Sequence, residues 1–131
     1  MAWSITEADI HELVENNDCT GLVAFLEGSD ANASFLAAIG LIDVGNSCVP
    51  AITEVFQNGH EWARYQAAFA LINIASPSSQ DLLLQAMVSD SNAEVRTVIA
   101  KFINNYEDEI ILPYLLQAAS DSNAEVKKNV A

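Results

Sequence analysis

Apolar residues along this chain fall in helical register, and the register repeats. After Asn32 come Phe35, Ala38, Ile39 and Ile42; after Trp62 come Tyr65, Ala68, Phe69 and Ile72; after Asn92 come Val95, Val98, Ile99 and Phe102. Each is an i, i+3, i+4, i+7 set, the spacing that lines one face of an α-helix. No segment alternates apolar and polar residues as a half-buried strand would. Shorter apolar stretches lie between these sets, at 22–26, 49–56, 82–88 and 110–119. Pro50 and Pro113 stand near the start of two of them, where a missing N–H is harmless. Gly28, Gly45 and Gly59 follow helical stretches, the usual place for a left-handed turn residue. The pattern predicts helix, turn, helix in units of about 30 residues.

The units are internal repeats. Ser89-Asp90-Ser91-Asn92-Ala93-Glu94-Val95 recurs letter for letter from Ser120 to Val126, and Leu-Leu-Gln-Ala precedes both copies. Fainter copies run from Ser29 to Phe35 and from Gly59 to Tyr65. Aligned on Ala33, Ala63, Ala93 and Ala124, four copies are spaced 30, 30 and 31 residues apart. In this frame Asn32, Asn92 and Asn123 are the N-caps of the second helices. Glu61, Glu94 and Glu125 fall in first turns, where a carboxylate suits the positive end of the helix dipole. His60 and Trp62 depart from the frame, so the second unit's turn is atypical. Residues 4–16 read as one more helix, with capping-box spacing at Ser4 and Glu7 and an apolar stripe of Ile10, Leu13 and Val14.

The expected fold is therefore all-α: a right-handed α-solenoid of about four helical hairpins with an N-terminal capping helix. Residues 1–17 form the cap and 18–131 the hairpins, as a single array. The last hairpin is truncated, with only Val126 and Val130 on its second apolar face. That predicts either fraying or a homodimer through the C-terminal end.

Four segments resemble a known family: Asp90 to Val95-Arg96, its weaker copy Asp121 to Lys127, Val49-Pro50-Ala51-Ile52 and Leu112-Pro113-Tyr114-Leu115. They are similar to HEAT-like repeats, most closely the short bacterial bilin-lyase-like subtype, over roughly residues 20 to 131. The resemblance implies a solenoid whose second helices line the concave side, the usual binding surface. It says little about function, because this architecture hosts scaffolds, inhibitors and a few enzymes. A bilin-lyase role would imply a heterodimeric partner and a tetrapyrrole groove, yet no cysteine or basic cluster is set to hold propionates. HEAT-type di-iron hydroxylases use His-Glu pairs on second helices. The pairs here, His11-Glu12 and His60-Glu61, lie on the N-terminal helix and in a turn, and do not converge. The resemblance thus assigns no cofactor and no metal ligand.

Composition narrows the function classes. Half the residues are hydrophobic (51%), enough for a continuous core. The net charge of −13 opposes binding to phosphate backbones and anionic lipid, and favours basic partners. The N-terminus has no signal-peptide pattern, and no apolar run approaches the ~20 residues of a membrane span. A cytoplasmic protein, bound neither to nucleic acid nor to membrane, is expected. Cys19 and Cys48 lack zinc-site spacing and read as small, reduced, partly buried side chains. No Ser or Cys stands near a base, so no catalytic residue is assigned and the chain is not expected to be an enzyme. Glu107-Asp108-Glu109 reads as a solvated run before a helix rather than a metal site.

Charge sorting gives the candidate site. All five basic residues, Arg64, Arg96, Lys101, Lys127 and Lys128, fall on second helices. Arg64, Arg96, Lys101 and Lys127 are candidate partner-binding residues, with Trp62 either packed or an aromatic anchor. The expected function is a protein-interaction module that binds a protein or peptide through the groove of second helices. The alternatives are an acidic inhibitor or immunity-type protein masking a basic partner, and a subunit of a bilin-lyase-like enzyme.

Overall fold

The computed structural model describes residues 5–103, 106 and 111–130. Among these there are nine α-helices and no strand. They are α1 (Ile5–Glu15), α2 (Cys19–Leu26), α3 (Ala31–Val44), α4 (Val49–Asn58), α5 (Glu61–Ile74), α6 (Gln80–Ser89), α7 (Ala93–Phe102), α8 (Ile111–Ala118) and α9 (Ala124–Val130). Short 3-10 turns, Asn46–Cys48 and Pro77–Ser79, lead into α4 and α6. Helices α2/α3, α4/α5, α6/α7 and α8/α9 pair as hairpins. The second helices stack in order, α3 on α5 on α7 on α9, and α1 packs on α3. The chain is an all-α solenoid. Ser4 and Glu107-Asp108-Glu109 lie outside the described residues.

The caps correct the repeat frame. Asp30 Oδ1 accepts from the N–H groups of Asn32 and Ala33 at 3.0 and 3.1 Å, so Asp30 caps α3 and Asn32 lies inside it. His60 caps α5, and Asn92 and Asn123 serve α7 and α9 as expected. The true spacing of caps is 30, 32 and 31 residues. An N-cap needs only a short side chain with an acceptor atom. Aspartate and histidine fill that role, and matching on asparagine slips the first unit by two residues.

The corrected register explains the core. At the third, seventh, eighth and eleventh positions after the cap, α3 buries Ala33, Ala37, Ala38 and Leu41; α5 buries Ala63, Ala67, Ala68 and Leu71; α7 and its C-cap bury Val95, Ile99, Ala100 and Ile103. The stripe predicted for α3 is therefore rotated. Ala38 is core, but Phe35 and Ile39 are 46% and 45% exposed. The alanines let second helices approach closely. First helices supply the bulk, with Leu22, Leu26, Ile52, Leu83, Leu84 and Met87 fully buried, each worth about 1.5–3 kcal/mol of transfer free energy. The cap helix needs a glycine: a Cβ on Gly40 of α3 would stand 2.8 Å from Val14 Cγ2 of α1. Of the three glycines expected at helix ends, only Gly45 has positive φ, at 90°.

Two long-range links complete the stack. Tyr106, between α7 and α8, is buried and donates its hydroxyl to the Ser76 carbonyl, between α5 and α6, at 2.7 Å. Cys19 and Cys48 form a disulfide with their Cα atoms 5.2 Å apart, so they are not the reduced pair expected from the sequence. The reason is the repeat itself. Cys19 begins α2 and Cys48 immediately precedes α4. Stacking units with a period near 30 brings residues 29 apart side by side.

Candidate functional site

The basic residues divide by what they touch. Arg64 and Arg96 both lie four residues after their caps. Arg64 donates to both carboxylate oxygens of Asp90, at 3.3 and 3.1 Å, and to the Gly59 carbonyl at 3.2 Å. Arg96 repeats the arrangement one unit on, with Asp121 at 2.9 and 3.2 Å and the Asp90 carbonyl at 2.8 Å. Planar forks of this kind match carboxylate geometry. The two aspartates also accept from the backbone N–H of Asn92 and Asn123. The hydrogen bond from Arg96 holds the Asp121 carboxyl below its ordinary value of 3.8, against the opposing effect of burial. Both guanidinium groups are thus engaged in joining adjacent units. Lys127 occupies the same register in α9 and is exposed, adding a weaker attraction to Asp121. Lys101 is exposed as well, its Nζ 5.5 Å from the ring centroid of Phe102.

The first junction has no such fork, since Ser34 stands where the arginines stand. His60 bridges there instead. Its Nδ1 accepts from the Ala63 N–H at 3.3 Å, and Nε2 lies 3.2 Å from the Glu27 carbonyl. A neutral ring with its proton on Nε2 satisfies both contacts. The other histidine, His11, pairs with Glu15 at 2.6 Å on α1. Among the described residues no group of three or more His, Cys, Asp or Glu side chains is placed to hold a metal. No single described helix is long and apolar enough to cross a membrane. At the C-terminal end, α8 exposes Leu112 and Leu116.

A row of rings runs along the second helices. Phe35 of α3 and Phe69 of α5 are 6.0 Å apart between centroids; Phe69 and Phe102 of α7 meet edge-on at 5.9 Å. Trp62, 38% exposed, stacks on Tyr65 at 5.3 Å. Trp62 is neither a cap nor core: it lies in the first turn of α5, supported on one face and open on the other side. Asn32, Phe35, Trp62, Tyr65, Gln66 and Phe69 line a slot of ≈ 310 Å³ between α3 and α5. Gln66 is 1% exposed, and its amide oxygen, closed to solvent, has no hydrogen-bond partner among the described residues. A second hollow, on the side of Trp62 toward the turns, is lined by Glu27, Gly28, Ser29 and His60.

Sequence reasoning singled out Trp62 and missed Phe35, Ile39 and Gln66. In the corrected register Gln66 falls where the neighbouring units place Leu36 and Val98. A glutamine in an apolar column is the signal that could have found the slot.

Residues 20–104, more than half of the chain, match the family described as HEAT repeats. The match does not single out the bilin-lyase-like subtype. No curated protein matches the sequence. HEAT repeats generally act as protein-interaction scaffolds, and the stacked hairpins, recurring caps and paired second helices described above are what that match requires: this chain belongs to the HEAT-repeat family.

Proposed function

We propose that this protein is an interaction module that binds a protein or peptide segment across the face of second helices α3, α5 and α7. The observation that carries the reading is the exposed row of Phe35, Ile39 and Trp62, backed by Phe69 and Phe102. Large apolar side chains clustered on one surface mark interaction sites, and aromatic residues dominate binding energy where they occur. Of the basic residues expected to contact the partner, Lys101 and Lys127 remain exposed to do so. The Cys19–Cys48 bond favours an oxidising setting over the cytoplasmic one expected from the sequence.

The acidic-inhibitor reading draws on a different surface. Glu7, Asp9, Glu12 and Glu15 are all exposed on α1, and the net charge is −13. No observation favours the bilin-lyase-like subunit. One experiment separates the surfaces: a photo-crosslinking residue at Ile39, at Glu12 or at Gln57 on α4, each in native extract. The interaction-module reading expects adducts from position 39. Adducts from position 12 alone transfer the case to the inhibitor, and adducts from 57 alone remove both.

A further inference from the structure

We propose that the slot beside Trp62 receives an arginine side chain from a basic segment of the partner; this rests on the second-helix face being the binding face. Three independent features define the occupant. First, four aromatic residues, Phe35, Trp62, Tyr65 and Phe69, line the slot. Aromatic faces attract cations, and a planar guanidinium stacks on them as an ammonium cannot. Second, Gln66 lines the slot and its buried amide oxygen, closed to solvent, lacks a donor, which it would gain by turning toward an occupant. Leaving an acceptor unpaired costs about 1–3 kcal/mol, and a ligand N–H removes that cost. An apolar occupant would leave it in place. Third, no lysine or arginine lines the slot or the neighbouring hollow, where Glu27 stands. The net charge of the whole chain, −13, favours the approach of a cation over that of an anion.

The guanidinium would lie on the exposed side of the Trp62 and Phe35 rings, with one N–H meeting Gln66 Oε1 once that side chain turns toward the slot. Its positive charge would be balanced by Glu27, which lines the adjoining hollow. The native arginines leave this role vacant: Arg64 and Arg96 are turned to Asp90 and Asp121.

The test uses the full oxidised chain and three capped peptides with identical Gly-Ser flanks around a central arginine, lysine or citrulline. Citrulline keeps the planar shape and part of the N–H donor set, but a carbonyl replaces one NH2 and it carries no charge. Binding is followed by NMR through the Trp62 indole N–H and the Gln66 side-chain amide. The arginine peptide is expected to shift both signals and to bind about ten-fold more tightly than the citrulline peptide, in line with a partly desolvated cation–π contact. Lysine should fall between them. Trp62→Ala should abolish the difference, and the peptide comparison on the unaltered chain stands even if that variant is unstable. Equal binding of arginine and citrulline overturns the cation. Shifts confined to acidic α1, or no shift with any peptide, overturn the slot. In either case adducts from position 39 would leave the interaction face standing, whereas their absence would remove that face as well.

Discussion

The first junction between hairpins and the two that follow it solve one problem with different chemistry. Between the second and third units, and between the third and fourth, an arginine fork grips the aspartate of the next turn. Between the first and second there is no fork. A covalent bond from Cys19 to Cys48 joins the first helices, and His60 reaches the Glu27 carbonyl across the turns. The difference reflects what each face does. Where the fork is present, the second-helix column carries a long cation whose charge is neutralised in place. Where it is absent, that position in α3 is the small Ser34, and the adjoining face carries the slot with Trp62 and Phe35. Linking the first helices leaves the second-helix face of that junction unobstructed.

The largest break in this comparison should come from reduction. The disulfide closes a loop of 29 residues, and the chain-entropy account gives it roughly 3–4 kcal/mol. Unfolding free energies from denaturant titration of the oxidised chain and of Cys19→Ala/Cys48→Ala should differ by that amount, with hydrogen exchange placing the loss in α2 to α4. Equal values would mean that the first junction holds without its covalent link.

Removing a fork should cost less. Arg96→Met leaves the partly buried Asp121 with the Asn123 N–H but no guanidinium, and about 2–3 kcal/mol of stability should go. Acid titration sharpens the point. Asp121 has a lowered pKa in the folded chain, chiefly through Arg96. Its contribution is present above the ordinary value of 3.8 and is lost as pH falls through the depressed one. Arg96→Met should flatten that acid limb, and an unchanged limb would assign it to other carboxylates.

The smallest effect belongs to Tyr106, which links the third and fourth units to the loop before α6. Tyr106→Phe should cost about 1 kcal/mol, the worth of one hydrogen bond. Burial raises the tyrosine pKa from 10.0 to about 12. Its contribution is therefore fully present below pH 10 and is lost as pH rises through about 12. The phenylalanine variant should lack that alkaline decline when thermal midpoints are compared across this range.

Legibility in the sequence follows the same division. The hairpins, the cap helix and the basic residues' location on second helices were all readable, because helical periodicity and repeated letters encode them directly. The Asp90-to-Arg96 run was also visible, though not that each arginine grips the aspartate one unit onward. That contact depends on how units stack. The disulfide was hidden for the same reason, since only the superposition of consecutive units makes Cys19 and Cys48 neighbours. The exposed row on α3 was lost to a local error. Reading Asn32 as the cap rotated the helix and sent Phe35 and Ile39 inward. Trp62 is legible both as a departure from the repeat and as a candidate aromatic anchor, but the rings that flank it, Tyr65 and Phe35, are not.

The disulfide has a consequence for the order in which the chain assembles. A solenoid can begin folding at any unit, because each contacts only its neighbours. The ring from Cys19 to Cys48 encloses the whole first hairpin and ends where the second begins. With the bond in place, α2 and α4 are close even in the unfolded chain, and much of the loop-closure entropy of their contact is already spent. Refolding of the oxidised chain is then expected to start at the N-terminal end and propagate toward α9. In the reduced chain that advantage is absent and any unit can start, so the redox state is expected to bias the direction in which the same structure is built.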